Sequence, residues 1–389
     1  METRIVNACL VLPDRLLENG AVTINEGGKL DFVGEMKNLP AGDAYTIDLK
    51  GKYLAPGFID IHVHGGNGVT FGDGDLAAET AKYSEWVAST GVTGYLMSIA
   101  GRTPDLLDKM IEGYTEVFAD SCGGAETLGL HLEGPFLNVE KKGAFNPEWL
   151  RIPKLDEMEA YIQAGKGWIR QMTLAPELPG ADQVAKLCKK AGILVALGHT
   201  NASFEQAAKV LKGDYGHVTH TFNAQSGFSH RAPGVFGAIL LSEGMTAELI
   251  ADTVHVHPGA MRLLVKCLGS DRIVAVTDAI TGAGFADGVY HVAGFDVYVR
   301  DGRATLANGT LAGSITTMDR CVANLVEHVG LSLHEAVQTA SLNPARAIGV
   351  ADRLGSVETG KDASLTVFDD QIDVQLTMVN GQIVYNILD

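Results

Sequence analysis

The chain has 389 residues, of which 46% are hydrophobic and 46 are glycine, a composition that describes a turn-rich globular protein and excludes a disordered or fibrous one. Its length exceeds what one hydrophobic core usually serves, so a large domain with a smaller companion is expected. The formal charge of −17 repels phosphate polymers and anionic bilayers, which argues against nucleic-acid or membrane partners and leaves room for a small anion held by a few local cations. In chain order, residues 5–11, 20–24, 30–34 and 45–54 read as strands, short and rich in β-branched residues, with Asn-Gly, Gly-Gly and Pro-Ala-Gly turns between them. The end of the chain repeats the pattern at 363–368 and 376–385, the latter folded at Asn380-Gly381 as a hairpin. Two β-rich ends around a different middle predict that the termini meet in one small β-sandwich domain, residues 1–55 with 350–389.

The middle, residues 56–349, alternates strand and helix. Strands are predicted at 58–64, 92–98, 128–133, 169–175, 193–199, 217–220, 249–252 and 273–278. Helices are predicted at 76–90, 104–119, 154–164, 181–191, 203–211 and 258–268, with Ser203 and Gln206 as a capping box and Pro258 in a first turn. Eight such strands imply an α/β fold of the (β/α)8 barrel type. After the eighth strand, 290–306 reads as an inserted hairpin, followed by helices near 318–329 and 334–340. The five cysteines, Cys9, Cys122, Cys188, Cys267 and Cys321, are odd in number and far apart, as expected for reduced thiols in a cytoplasm. Neither a signal peptide nor an apolar run long enough for a bilayer is read in the sequence.

His62 and His64 close the first barrel strand, just before Gly65-Gly66. Side chains two apart on a strand share a face, so both imidazoles can turn to one ion at the barrel mouth. A bare His-x-His is a weak signal. What strengthens it is recurrence: strand three ends in Glu133, strand five in His199, strand six in His220 and strand eight in Asp278. Barrel enzymes place their chemistry at that face, and unrelated core histidines would not sort this way. Imidazole and carboxylate donors without thiolate suit zinc, iron, manganese or cobalt and do not choose among them.

This set, with its flanking sequence, resembles the N-acetylglucosamine-6-phosphate deacetylase family of the amidohydrolase superfamily. The resemblance runs through Ala55-Pro56-Gly57-Phe58-Ile59-Asp60, His131-Leu132-Glu133-Gly134-Pro135-Phe136, Gly198-His199-Thr200-Asn201-Ala202 and Thr219-His220-Thr221-Phe222-Asn223-Ala224. It continues in Arg231-Ala232-Pro233-Gly234, Ile250-Ala251-Asp252 with Val254-His255-Val256-His257-Pro258, Val276-Thr277-Asp278-Ala279, Leu311-Ala312-Gly313-Ser314 and Asn343-Pro344-Ala345. It implies that Glu133, His199 and His220 are the main metal ligands, and that His62, His64 and Asp278 could hold a second divalent ion bridged through Glu133. Asp278 matches the catalytic acid-base for attack of water on an acetamide. Asn223, the backbone amide of Ala224, Arg231 and His255 match the residues that hold a sugar 6-phosphate. In the family the arginine crosses to a neighbouring subunit, which implies a homodimer. His257 is read with His255 as substrate-facing, and His131, His217, His291, His328 and His334 as structural.

Two departures bear on the expectation. Phe145 stands where the family commonly carries a polar residue that helps polarise the substrate carbonyl, and Gln225-Ser226-Gly227-Phe228 departs from the residues expected after Asn-Ala in the glucosamine enzymes. The second leaves N-acetyl-D-galactosamine 6-phosphate as an alternative substrate. A cyclic amidohydrolase would commonly show a lysine after strand four, where Leu174-Ala175-Pro176-Glu177 stands. A non-catalytic scaffold would be expected to have lost ligands.

Overall fold

The computed structural model describes residues 2–118, 123–292 and 294–388. Five strands open the chain: β1 (Thr3–Val11), β2 (Leu16–Ile24), β3 (Leu30–Glu35), β4 (Tyr45–Asp48) and β5 (Tyr53–Pro56). The predicted strand over 45–54 is two strands, because Lys50 and Gly51 take left-handed backbone angles (φ 51° and 91°) and turn the chain between them. Both halves return to β1 in parallel, Tyr45–Asp48 against its start and Tyr53–Leu54 against Cys9–Leu10.

Only Gly57 separates β5 from β6 (Phe58–Val63), and a Cβ there would fall 2.1 Å from a methyl of Thr93. The path therefore runs straight from the terminal sheet into the barrel. A short pair, β7 (Gly65–Gly66) and β8 (Val69–Thr70), comes next. Then come β9 (Val92–Ala100), β10 (Glu126–Glu133), β11 (Ile169–Leu174), β12 (Leu194–Leu197), β13 (His217–Val218), β14 (Thr246–Ile250) and β15 (Ile273–Val276). With β6 these eight form one parallel sheet in sequence order. Its two ends meet where Asp278 N–H donates to the His62 carbonyl (2.9 Å) and His64 N–H to that of Ala279 (2.8 Å). Thr277 adds a side-chain bond to Asp60 (2.5 Å), joining the first and eighth strands a second time.

Helices alternate with the strands: α1 (Leu76–Ala88), α2 (Pro104–Val117), α3 (Leu155–Gly165), α4 (Ala181–Lys190), α5 (Phe204–Leu211), α6 (Gly234–Leu240), α7 (Pro258–Leu268) and α8 (Met318–Asn324). Ser203 and Gln206 form the predicted capping box on α5. No periodic signal marks α6 in the sequence, because Gly234 through Ile239 are all buried and no polar face sets the helix apart. Ala119, at the end of the helix predicted over 104–119, and Cys122 lie outside the described residues.

The insertion after the barrel is an antiparallel sheet of β16 (Gly288–Val292), β17 (Phe295–Arg300) and β18 (Arg303–Thr305). Helices α9 (Leu333–Thr339) and α10 (Leu342–Ala347) lead to β19 (Leu365–Phe368), β20 (Val374–Val379) and β21 (Gln382–Asn386). These last strands pair onto β5 and complete the terminal sheet, in the order β21-β20-β19-β5-β1-β2-β3 with β4 also on β1. Asn380 and Gly381, both at positive φ (49° and 79°), make the predicted hairpin turn. Ile5, Leu10, Val22, Leu54, Leu365 and Leu376 share a core of their own. Among the described residues, no helix is long and apolar enough to cross a membrane, and Cys9, Cys188, Cys267 and Cys321 form no disulfide.

Candidate active site

The first barrel strand delivers His62 and His64 because β6 is buried along its whole length and then leaves the sheet abruptly. Gly65 makes that exit possible: its φ is 150°, and a Cβ would sit 2.1 Å from the Val69 carbonyl oxygen. Further round the barrel, Glu133 is the last residue of β10, and His199, His220 and Asp278 lie just past β12, β13 and β15. All three of the latter have left-handed backbones, at φ 45°, 26° and 48°.

These six residues meet. Glu133 Oε1 lies 3.0 Å from Nε2 of both His199 and His220, and 3.5 Å from Nε2 of His62. Its other oxygen lies 3.0 Å from His64 Nε2. Asp278 Oδ1 is 3.4 Å from His64 Nε2 and 3.6 Å from His62 Nε2. Two groups of potential ligands result, His62-His64-Asp278 and Glu133-His199-His220, each with its donor atoms within 4.8 Å of one another.

The outer nitrogens decide what the inner ones offer. His62 Nδ1–H donates to Glu248 Oε2 (2.8 Å), His64 Nδ1–H to the Ser98 carbonyl (3.1 Å) and His199 Nδ1–H to the Lys141 carbonyl (2.7 Å). Carbonyls and carboxylates only accept, so in the neutral rings the Nε2 atoms carry bare lone pairs. Those lone pairs face carboxylate oxygens and each other, as at the 3.3 Å approach of His62 Nε2 to His64 Nε2. Such a cluster repels itself unless a cation or protons lie within it. The donor chemistry therefore fits divalent metal. The same charge balance sets the protonation of the groups. Burial alone would raise the Glu133 carboxyl, yet His62, His199 and His220 hold it well below the usual carboxylate range. Burial likewise disfavours a charged His62, but Glu248, Glu133 and Asp278 keep the imidazole well above its ordinary value.

A cavity of about 340 Å³ opens over the cluster. His64, Glu133, His199, His220 and Asp278 line its floor, and Asn223, Ala224 and His255 line it too. The inserted sheet contributes Phe295 and Val297 to its wall. Phe145 lies on this wall with its ring edge-on to His199 (centroids 5.0 Å apart, 85°), so it belongs to the site. Arg231 does not line the cavity of a single chain: it is exposed, its Nε 3.0 Å from His230 Nε2. His255 Nδ1 bonds to Asp252 (2.7 Å), which leaves its Nε2 edge for a ligand. His257, read in the sequence as substrate-facing with His255, instead caps α7 by accepting the Gly259 N–H (3.0 Å). The reason is the turn at His257-Pro258, where the helix starts and its first N–H groups need an acceptor.

Two site residues gain their roles only from the structure. Asp252 backs His255, and its other oxygen accepts the N–H groups of Val254 and His255. Glu248, wholly buried on β14, accepts from His62, His217, Gln171 and the His220 backbone. The only signal for it is a carboxylate in an otherwise apolar strand.

Known proteins resemble this chain in sequence and in fold. The amidohydrolase family model matches residues 53–384. The N-acetylglucosamine-6-phosphate deacetylase of Bacillus subtilis (strain 168) is 34% identical over 387 residues, covering 98% of this chain and 96% of the relative. The N-acetylgalactosamine-6-phosphate deacetylase of Escherichia coli O157:H7 is 36% identical over 330 residues, covering 85% and 87%. The crystal structure of the N-acetylglucosamine-6-phosphate deacetylase from Pasteurella multocida superposes with a TM-score of 0.93 at 34% identity, over 99% of this chain and 100% of that one. The chain belongs to the amidohydrolase family, in the branch of the N-acetylglucosamine-6-phosphate deacetylases.

Proposed function

We propose that this chain hydrolyses the acetamide of N-acetyl-D-glucosamine 6-phosphate to D-glucosamine 6-phosphate and acetate, in amino-sugar catabolism. The observation that carries the reading is one cavity that holds both the imidazole–carboxylate cluster and a separate polar group, Asn223, Ala224 and His255. A structure of the related Mycobacterium smegmatis enzyme with N-acetyl-D-glucosamine-6-phosphate, at TM-score 0.91 and 30% identity, supports the substrate class.

Glu133, His199 and His220 would hold one divalent ion, and His62, His64 and Asp278 a second that shares Glu133. Zinc, iron, manganese and cobalt all suit these donors. A bound ion supplies Lewis-acid polarisation and water of lowered pKa. The chain's own residues do the rest. Asp278 takes a proton from the attacking water at a carboxylate oxygen as the carbon–oxygen bond forms, and delivers it to the sugar nitrogen as the carbon–nitrogen bond breaks. Asn223, the Ala224 N–H and His255 orient the sugar by its phosphate. Arg231, exposed on one chain, would complete the phosphate site of a second subunit in a cytoplasmic homodimer. We further divide the chain into residues 1–55 with 350–389 as a supporting β domain and 56–349 as the catalytic barrel.

Steady-state kinetics on the phosphorylated and free sugars test the reading. The phosphate is expected to raise kcat/KM by orders of magnitude, because its binding energy positions the acetamide. Equal efficiency on the free sugar would refute it. N-acetyl-D-galactosamine 6-phosphate belongs in the same experiment, since a relative named for that substrate is 36% identical.

A further inference from the structure

Glu248 lies in the middle of β14 with no exposed surface, and among the described residues no lysine or arginine pairs with it. Its oxygens are fully used. Oε1 accepts from Gln171 Nε2 (2.7 Å) and His217 Nε2 (3.1 Å). Oε2 accepts from His62 Nδ1 (2.8 Å) and from the backbone N–H of His220 (2.9 Å). Gln171 stands on β11 and His62 on β6, neither of them a sheet neighbour of β14. Contacts that skip strands can form only across the barrel interior, so Glu248 reaches through the core to the underside of the cluster.

Oε2 thus fixes two things at once. In the neutral ring it keeps the His62 proton on Nδ1, which leaves Nε2 bare toward His64, Glu133 and Asp278. It also anchors the left-handed backbone of His220, at φ 26°. A buried carboxylate with only imidazole, amide and backbone donors is costly unless positive charge lies close by. A cation at the Nε2 edge of the His62 ring would supply that charge, and the carboxylate in turn makes Nε2 a better donor.

We propose that Glu248 is the positioning residue that enables the His62-His64-Asp278 group to hold the second ion. The proposal rests on the two-ion reading above. A carboxylate behind a ligating imidazole is worth about 10- to 100-fold in metal affinity. Glu248→Gln keeps the side-chain shape and an acceptor oxygen but removes the charge.

The test is a Co(II) titration into metal-free protein, followed by visible absorption and by counting bound ions, in wild type, Glu248→Gln, His62→Asn and the double variant. Glu248→Gln should weaken the second ion by about 10- to 100-fold and leave the tighter one in place. In the His62→Asn background the same change should add nothing, because the residue through which it acts is gone. Two ions in wild type with unchanged affinity in Glu248→Gln would overturn the proposal, and so would equal weakening of both ions, the mark of a merely structural role. One ion per subunit in wild type would instead overturn the two-ion reading, and this inference with it. Should Glu248→Gln not fold, Glu248→Asp, which keeps the charge and withdraws the oxygens by one methylene, should also weaken the second ion selectively. Unchanged affinity there would refute the positioning role.

Discussion

His199, His220 and Asp278 occupy backbone conformations that cost a non-glycine residue about 1–3 kcal/mol each. The surroundings hold them there: Asn138 N–H donates to the His199 carbonyl, Glu248 accepts the His220 N–H, and Asp278 N–H donates to His62. Side-chain changes at these positions should therefore affect chemistry more than folding. Asp278→Asn keeps shape but no longer takes a proton, so kcat should fall by about 10² to 10⁴ with KM nearly unchanged. A parallel rise in KM would show that Asp278 mainly binds. The proton balance of the cluster gives a second expectation. In metal-free protein the neighbouring carboxylates overcome burial and raise His62, and Glu133 does the same for His220. A raised imidazole contributes stability that is complete below its unfolded value of about 6.5 and is lost as pH climbs through the folded one. Melting temperature in chelator should accordingly fall as pH rises above about 6.5. Metal affinity should move the opposite way, since protons compete for the same nitrogens. Phe145 bears on the number of ions. It lies against His199 and has no hydrogen to donate, so electrophilic help at the substrate carbonyl must come from elsewhere. If a second ion gives it, replacing His62 and His64 together by Asn should cost much of the turnover, and adding Phe145→His should restore part of it. One ion per subunit with near-normal turnover in the double variant would exclude that role. The six residues of the cluster are legible in the sequence because each stands at the end of a recognisable strand. Glu248 is not, because what defines it is a set of partners across the barrel, and spacing carries no trace of them; Asp252 ends a predicted strand, but its bond to His255 is made within a turn that the sequence does not show.

Among the elements, β6 bears most of the functional weight, and its exit at Gly65 is the most exposed to test. Gly65→Ala places a methyl 2.1 Å from a backbone oxygen that cannot move independently of the β7–β8 pair. The end of β6 must shift, and His64 with it, so the variant should be destabilised by about 1–3 kcal/mol and bind the second ion poorly. Thermal melts with and without metal would show both effects. Wild-type metal stoichiometry in a folded Gly65→Ala protein would mean that His64 is placed by other contacts. The eight barrel strands are readable in the sequence because fully buried parallel strands show as apolar runs with functional residues at one end. The helix α6 is not, because burial on every side erases the amphipathic period. The division of 45–54 into β4 and β5 is missed for a related reason: Lys50-Gly51 resembles any strand residue before a glycine until its left-handed angles are seen.

At the scale of the whole molecule, the cavity poses a question of charge. A sugar phosphate brings about two negative charges into a chain of net charge −17, to a site whose floor already holds Glu133 and Asp278. Arg102 is a cavity-lining cation, but it is largely buried, lies over the Trp149 ring and donates to the Ala100 and Gly101 carbonyls, so its guanidinium is already engaged. Arg231, by contrast, stands exposed on the loop between β13 and α6, in the segment that carries the cavity-lining Asn223 and Ala224, and Phe228, three residues before it in the chain, is 60% exposed. An exposed phenylalanine and an exposed arginine on one loop are what a subunit contact would cover while delivering the arginine to a neighbouring site. Subunit mixing decides whether it does. Arg231→Ala subunits would have intact catalytic residues and lack the arginine for their partner, whereas Asp278→Asn subunits would be catalytically dead and still donate it. Heterodimers of the two should contain one complete site in two, and so recover up to about half of the wild-type activity per dimer. Arg231→Ala alone should show a raised KM for the phosphorylated sugar and little change on the free one, since only the phosphate contact is lost. Mixed dimers that demonstrably form and regain nothing would show that each subunit binds its phosphate without help.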